Sequence, residues 1–258
     1  MSRLTKAEAK KHAEAIKVLD KPTLTDDDKD FILAHWQESA NHVNTEAGAF
    51  FTPLSLAYDL SLELNGLRTV IDLCAGAGTL ALAAHRRYDL DRIVCVELNP
   101  AYVELGKRLL PEAEWITGSI FDLPDLGMFD AAISNPPFGK VKRPTGQGGP
   151  RYTGPDFEYH VIDRAADLAR FGAFILPQGS APFRYSGAPF YDQTDNPKYA
   201  KFSEQTSIEL DAGVGIDTSI YADDWHKVKV NVECVVADFD EARELRAEGS
   251  LFDMEDVA

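Results

Sequence analysis

The chain has only three cysteines in 258 residues, and no two of them form a C-x-x-C pair. Cys74, Cys95 and Cys234 each sit in an apolar, strand-like run, which excludes a disulfide framework or thiolate metal cluster and reads as reduced core thiols. The six histidines are scattered without ligand spacing, so no metal is expected. Long hydrophobic runs are missing as well. No stretch approaches the roughly 18 apolar residues of a membrane helix, and the polar, charged beginning lacks a signal-peptide core. The expectation is a cytoplasmic protein with no membrane partner. Positive charge is scarce too: 26 Lys and Arg against 42 Asp and Glu leave a formal net charge of −16. A polyanion favours a basic surface, so nucleic-acid binding would need locally concentrated basic groups or a partner that supplies them. No internal repeat or low-complexity segment is evident.

What is present is a globular composition, 45% hydrophobic, at a length that suits one large α/β domain with a modest appendage. Residues 1–44 read as a helical extension: 6–19 is rich in Ala, Lys and Glu, and Thr25 followed by three aspartates starts a second helix. Thr52 before Pro53 predicts a capped helix over 55–64, with Leu56, Leu60 and Leu64 on one face. The runs 69–74, 92–98, 115–117, 129–134 and 171–177 read as strands, with helices over 81–88, 101–110 and 156–170. Alternation over 208–214 and 228–239 predicts two last strands in an antiparallel hairpin. Between them, 180–206 reads as irregular, its six aromatics serving as packed loop residues or as a stacking surface. The tail from Asp240 holds seven acids and two arginines and reads as an exposed helix.

The chemistry centres on Asn135-Pro136-Pro137-Phe138, directly after the apolar run 129–134. Two prolines fix φ and remove two donors, so the Asn135 side-chain oxygen and the Pro136 carbonyl become stiff acceptors at the end of a strand. Two acceptors at one point suit an exocyclic amine, and Phe138 offers a flat face to a planar base. Upstream, Asp72-Leu73-Cys74-Ala75-Gly76-Ala77-Gly78-Thr79 places glycines where the backbone can approach a ligand. Glu97, 25 residues after Asp72, ends the next strand and is placed to take both hydroxyls of a ribose. Downstream, Lys140, Lys142, Arg143 and Arg151 fall in a Gly/Pro-rich loop with no acid before Asp156. That loop reads either as a mobile grip on phosphates beside an extruded base or as a solvated flexible segment.

Together these motifs resemble class I S-adenosylmethionine-dependent methyltransferases, and Asn-Pro-Pro-Phe resembles the catalytic motif of those that modify adenine N6. Gly48-Ala49-Phe50-Phe51-Thr52-Pro53 is similar to the motif that precedes the first strand in many DNA adenine methyltransferases. The resemblance implies a Rossmann-like, seven-stranded mixed sheet with helices on both faces and the last strand antiparallel, over residues 45–239. It implies S-adenosylmethionine as cofactor, with Phe51, Thr52 and Pro53 at its methionine end. Asp72, Cys74, Ala75, Gly76, Gly78 and Thr79 would form its turn, with Glu97 on the ribose, Leu98 and Asp122 at its adenine, and Asn135 shared with the target. The implied catalytic residues are Asn135, Pro136, Pro137 and Phe138. The implied partner is nucleic acid, DNA ahead of RNA. No separate target-reading domain is expected, a departure from restriction-linked relatives that points to a protein partner.

Overall fold

The computed structural model describes residues 5–37, 50–141, 146–225 and 231–255, the side chains of 249–255 excepted. Two capped helices come first, α1 (Lys6–Leu19) and α2 (Asp26–His35). In each, a threonine hydroxyl accepts the third helical N–H while an acid three residues on reaches back to the cap: Thr5 with Glu8, Thr25 with Asp28. A short helix, α3 (Leu54–Leu60), runs into a 3-10 turn over Ser61–Leu64.

The sheet then builds by parallel crossovers, and its inner strands are buried on both faces and therefore read as continuous apolar runs. It contains β1 (Thr69–Leu73), β2 (Arg92–Glu97), β3 (Glu114–Thr117), β4 (Phe129–Ser134) and β5 (Ala169–Pro177), with α4 (Thr79–Arg87), α5 (Pro100–Leu109) and α6 (Phe157–Ala165) between them. A two-stranded ribbon, β6 (Phe183–Arg184) with β7 (Asp192–Gln193), and α7 (Pro197–Thr206) precede the antiparallel strand β8 (Val232–Asp238) and α8 (Phe239–Glu255). The order is β3-β2-β1-β4-β5-β8, with only β8 reversed. Because β2 and β4 flank β1 on opposite sides, the loops leaving β1 and β4 diverge at the carboxyl edge and open a crevice there.

Alternate strand residues feed opposite faces. Ile71 and Leu73 pack with α6, α7 and α8 against Tyr159, Phe174 and Phe202, whereas Val70 and Ile133 pack with α3 and α4. The N-terminal helices share a core with α4 and α5, and Arg86 holds Asp26 at 3.0 Å and Asp30 at 2.6 Å. No helix among the described residues is long and apolar enough to cross a membrane.

Four expectations change. The sheet has six strands and not seven: 208–214 contributes a single bridge, Asp211 to Val236, because the Asp211 carboxylate accepts Gly213 N–H and turns the chain away. Helix α6 stops at Ala165, and a tight turn, Leu168 N–H to Ala165, starts β5 two residues before the expected position. The segment 180–206 is ordered into the ribbon and α7, which Asn196 caps and Pro197 starts. The acidic tail does not stand free at its root, because Phe239 is fully buried and Arg243 and Arg246 donate to carbonyls of Ala166, Ala169 and Thr206.

One packing contact bears directly on stability. A Cβ on Gly106 of α5 would lie 2.0 Å from the Trp115 ring, and the indole is held by a 3.1 Å bond to the Leu110 carbonyl. Alanine would gain about 1 kcal/mol in helix propensity, but overpacking against a pinned ring costs about 1–3 kcal/mol. Gly106→Ala should therefore lower stability, read as a lower urea midpoint at unchanged slope; an equal or higher midpoint would refute the contact.

Candidate active site

The turn after β1 is the floor of the crevice. Gly76 takes φ +56°, and a Cβ there would come within 3.0 Å of the Phe51 ring, so both backbone conformation and space require glycine. Cys74 also lies in the left-handed region, at φ +63°, without the excuse of being glycine. Glu97, at the tip of β2, accepts Gly76 N–H through Oε2 and Asn99 N–H through Oε1, both at 2.8 Å. Each carboxylate oxygen keeps a second lone pair for a ligand hydroxyl. Burial pushes the Glu97 carboxyl up, against the lowering effect of those N–H donors. Leu98 beside it is 72% exposed, an apolar face with no cover. Asp122 is exposed in the turn after β3, on the same edge.

Asp72 and Asn135 bring two unusual oxygens together. Asp72 is 1% exposed; its Oδ2 accepts Ala81 N–H at 3.3 Å, and its Oδ1 is buried without a hydrogen-bond partner. Burial, with the Glu97 charge adding to it, pushes the Asp72 carboxyl well above the usual carboxylate range. Asn135 Nδ2 donates to the Phe50 carbonyl and to Thr52 Oγ1, each at 3.0 Å. A carbonyl only accepts, so the nitrogen must face it and Oδ1 must face away. That Oδ1 is the second buried oxygen without a partner. Both residues line a cavity of about 20 Å³ with Phe51, Thr52, Gly76 and Thr79, a space that takes one small polar group. Ser134 Oγ donates to the Leu73 carbonyl and ties the ends of β4 and β1 together.

The sequence-predicted residues thus divide. Phe51, Thr52, Asp72, Cys74, Ala75, Gly76, Thr79 and Asn135 converge on that cavity. Thr52 is corrected in its role: it does not cap α3, which begins after Pro53 with no side-chain cap, because its hydroxyl serves Asn135. Pro136 is buried, while Pro137 and Phe138 are half-buried, Phe138 packing on the α3 side of the sheet. Lys142, Arg143 and residues 45–49 lie outside the described residues. Lys140 is exposed.

Arg151 is ion-paired within the protein: its guanidinium, 25% exposed, meets the fully buried Asp163 at 2.8 Å and Asp167 at 2.5 Å, so its charge is already countered by this chain's own acids. Nor is the described part of that loop loose: Asp163 accepts N–H from Arg151 and Tyr152, and His160 joins Gly149 N–H to the Gly154 carbonyl.

Two site residues escaped the sequence reading. Trp36 stacks on Phe51 with centroids 5.5 Å apart and planes at 21°, and Tyr102 meets Phe51 edge-on at 4.9 Å. Neither lies in a motif, and their proximity is a product of tertiary packing. The only hint was an aromatic at the end of a predicted helix.

The Asp72 carboxyl makes a pH test. With its folded pKa raised above the unfolded value, its contribution is fully present below the unfolded pKa and is lost as pH rises through the folded one. Asp72→Asn should therefore gain stability relative to wild type as pH rises from about 4. Urea unfolding of both proteins across a pH series checks this; a difference that does not change with pH would mean that Asp72 is not held neutral.

Against known proteins, residues 56–147 match the methyltransferase small domain family. The chain is similar to a Mycoplasma pneumoniae protein called "Uncharacterized protein MG259 homolog", with 33% identity over 101 residues. That match covers 36% of this chain and 22% of the relative, so the chain spans less than a quarter of the curated relative's length. Among solved structures, a candidate RNA methyltransferase of Pyrococcus horikoshii superposes with a TM-score of 0.51 at 16% identity, covering 83% of this chain and 97% of its own. The 23S rRNA methyltransferase ErmE gives 0.50 at 13% identity, over 74% and 69% of the two chains. The N-terminal domain of EvdMO1 with SAH bound gives 0.50 at 11%, over 92% and 98%. The chain has the Rossmann-like α/β methyltransferase fold, and its family match runs from α3 through the Asn-Pro-Pro-Phe turn.

Proposed function

We propose that the chain transfers the methyl group of S-adenosylmethionine to the exocyclic N6 amine of adenine in nucleic acid, DNA ahead of RNA. One observation carries this reading: at the end of β4, Asn135 presents a buried, unpartnered oxygen whose direction is set by two bonds to its own nitrogen. The residues suit the cofactor: Gly76 holds a left-handed φ beside the Phe51 ring, Glu97 keeps lone pairs at the tip of β2, and Asp72 and Asn135, each with a buried unpartnered oxygen, line one cavity. When bound, S-adenosylmethionine supplies a methyl group already activated by its sulfonium. The chain's own part is placement. Glu97 takes the ribose hydroxyls, Leu98 covers the cofactor adenine and Asp122 accepts its amine. Gly76 and Gly78 let the backbone approach, Cys74, Ala75 and Thr79 line the turn, and Phe51, Thr52 and Pro53 close the methionine end. Asn135 and the Pro136 carbonyl accept from the target amine, Pro137 keeps the turn stiff, and Phe138 stacks on the base.

A second reading is favoured by Arg151, whose charge is internally paired in a chain of net charge −16. Here the protein is the cofactor-binding subunit of a modification complex, and a partner supplies the phosphate contacts and reads the target. Protein incubated with tritiated cofactor and unmethylated plasmid DNA, total RNA or ribosomes separates these readings. Label in N6-methyladenine supports the first; label only after a partner is added supports the second.

Asn135 should matter more in the transition state than in the ground state, because the amine donates more strongly as it becomes positive. Asn135→Ala should keep cofactor affinity and lower turnover by about 10²-fold. Turnover at the wild-type rate would reject this assignment. Glu97→Ala should act on binding instead, weakening the cofactor by about 2 kcal/mol through lost charge-assisted bonds. Calorimetry giving equal affinities would show that the ribose is held elsewhere.

A further inference from the structure

The Asn-Pro-Pro-Phe turn is anchored at both ends, and the second anchor involves a residue with no assigned role. At the first end, Asn135 Nδ2 is bonded to Phe50 and Thr52. At the other end stands Gly139, with φ +74°, a conformation that favours glycine. Its N–H donates to Glu158 Oε2 at 2.8 Å, and its carbonyl accepts Phe157 N–H at 2.8 Å. Both partners lie in the first turn of α6, where backbone N–H groups are free to bind and an acid is favoured by the helix dipole.

Glu158 is only 1% exposed, so its placement is fixed by its bonds. Its second oxygen accepts Ser180 Oγ at 2.7 Å, and the Ser180 carbonyl accepts Tyr159 Oη–H at 2.6 Å. One buried carboxylate therefore joins the turn after β4 to the turn after β5, across neighbouring parallel strands. Between the two anchors, Pro136 and Pro137 have fixed φ, so the segment moves as a stiff piece. A shift at Gly139 reaches Phe138 and Asn135 with little loss.

We infer that Glu158 is a positioning residue: through Gly139 it holds the 135–139 turn, and with it the Asn135 oxygen and the Phe138 ring, in the geometry that the reaction requires. This rests on the proposed methyl transfer for its effect on rate, and on the structure alone for its effect on the turn. Glu158 touches no reacting atom in this arrangement. Its removal should spare the cofactor side, which apart from Asn135 is built from β1, the glycine turn after it and the Phe51 segment, with Glu97 of β2 bonded to that turn.

The test compares Glu158→Ala, Glu158→Gln and wild type by amide hydrogen exchange at Gly139 and by methylation kinetics. In Glu158→Ala, Gly139 exchange should rise about 10-fold or more. Turnover should fall about 10-fold or more, the scale of a sub-ångström to ångström misplacement, with the cofactor KM within about twofold of wild type. Glu158→Gln should restore both, because its amide oxygen accepts Gly139 N–H and its nitrogen donates to Ser180 Oγ. Should the alanine variant not fold, Glu158→Asp keeps the charge but loses reach, and should show the same pattern more weakly. Unchanged Gly139 exchange in the shortened variant overturns the inference, and so does faster exchange with wild-type turnover. If wild type methylates nothing, the methyltransferase reading fails, while Gly139 exchange still decides whether Glu158 holds the turn.

Discussion

The site depends on two hydrogens of one amide. Asn135 Nδ2 donates one to the Phe50 carbonyl and the other to Thr52 Oγ1, so the side chain cannot flip without breaking both bonds. Its oxygen is thereby fixed toward the crevice, buried and unpaired. An unsatisfied buried acceptor costs about 1–3 kcal/mol, which a donor arriving at that point recovers. The same bonds tie the end of β4 to the segment before α3, so the catalytic turn and the wall beside Gly76 are parts of one rigid arrangement.

Electrostatics reinforces that geometry. Asp72 and Glu97 lie at the ends of neighbouring strands, Asp72 buried and Glu97 half-buried, and both carboxyls are pushed up, chiefly by desolvation. An interior that has gathered acids without a basic partner favours whatever brings positive charge or donors to them. Under the proposed chemistry, a cofactor carrying a sulfonium and an ammonium meets that demand. Elsewhere the chain pairs its buried acids internally, as Asp163 does with Arg151 and Glu233 does with Ser186 and Gln178. The unpartnered oxygen of Asp72, set against these fully bonded acids, marks the crevice more sharply than its shape does.

Much of this was legible in the sequence, and for a physical reason: parallel strands buried on both faces are apolar throughout, and the turns between them carry glycine, proline or an acid at the tip. The runs at 69–74, 92–98 and 129–134 became β1, β2 and β4 within a residue or two. Differences arose where the apolar pattern met a competing side-chain bond, local or long-range. Alternation over 208–214 suggested a strand, but the Asp211 side chain closed a turn first. Thr52 had the ideal place for a helix cap, yet Asn135, 83 residues away, took its hydroxyl. Arg151 looked like a free cation until α6 and the turn after it placed Asp163 and Asp167 beside it. The start of α7 carries a local signal, Asn196-Pro197, of the same kind as Asn99-Pro100 at the start of α5.

Trp36 gives the crevice an outer wall that the sheet does not own. It leans on Phe51, Phe51 leans on the glycine turn, and Trp36 itself ends a helix whose attachment to α4 includes the two ion pairs of Arg86. Asp26 and Asp30, the acids in those pairs, are 75% and 46% exposed at their side chains. Charges so exposed are screened as ionic strength rises. A continuous line of contacts therefore runs from two salt-screened surface aspartates through Arg86 and α2 to Trp36, Phe51 and the turn at Gly76.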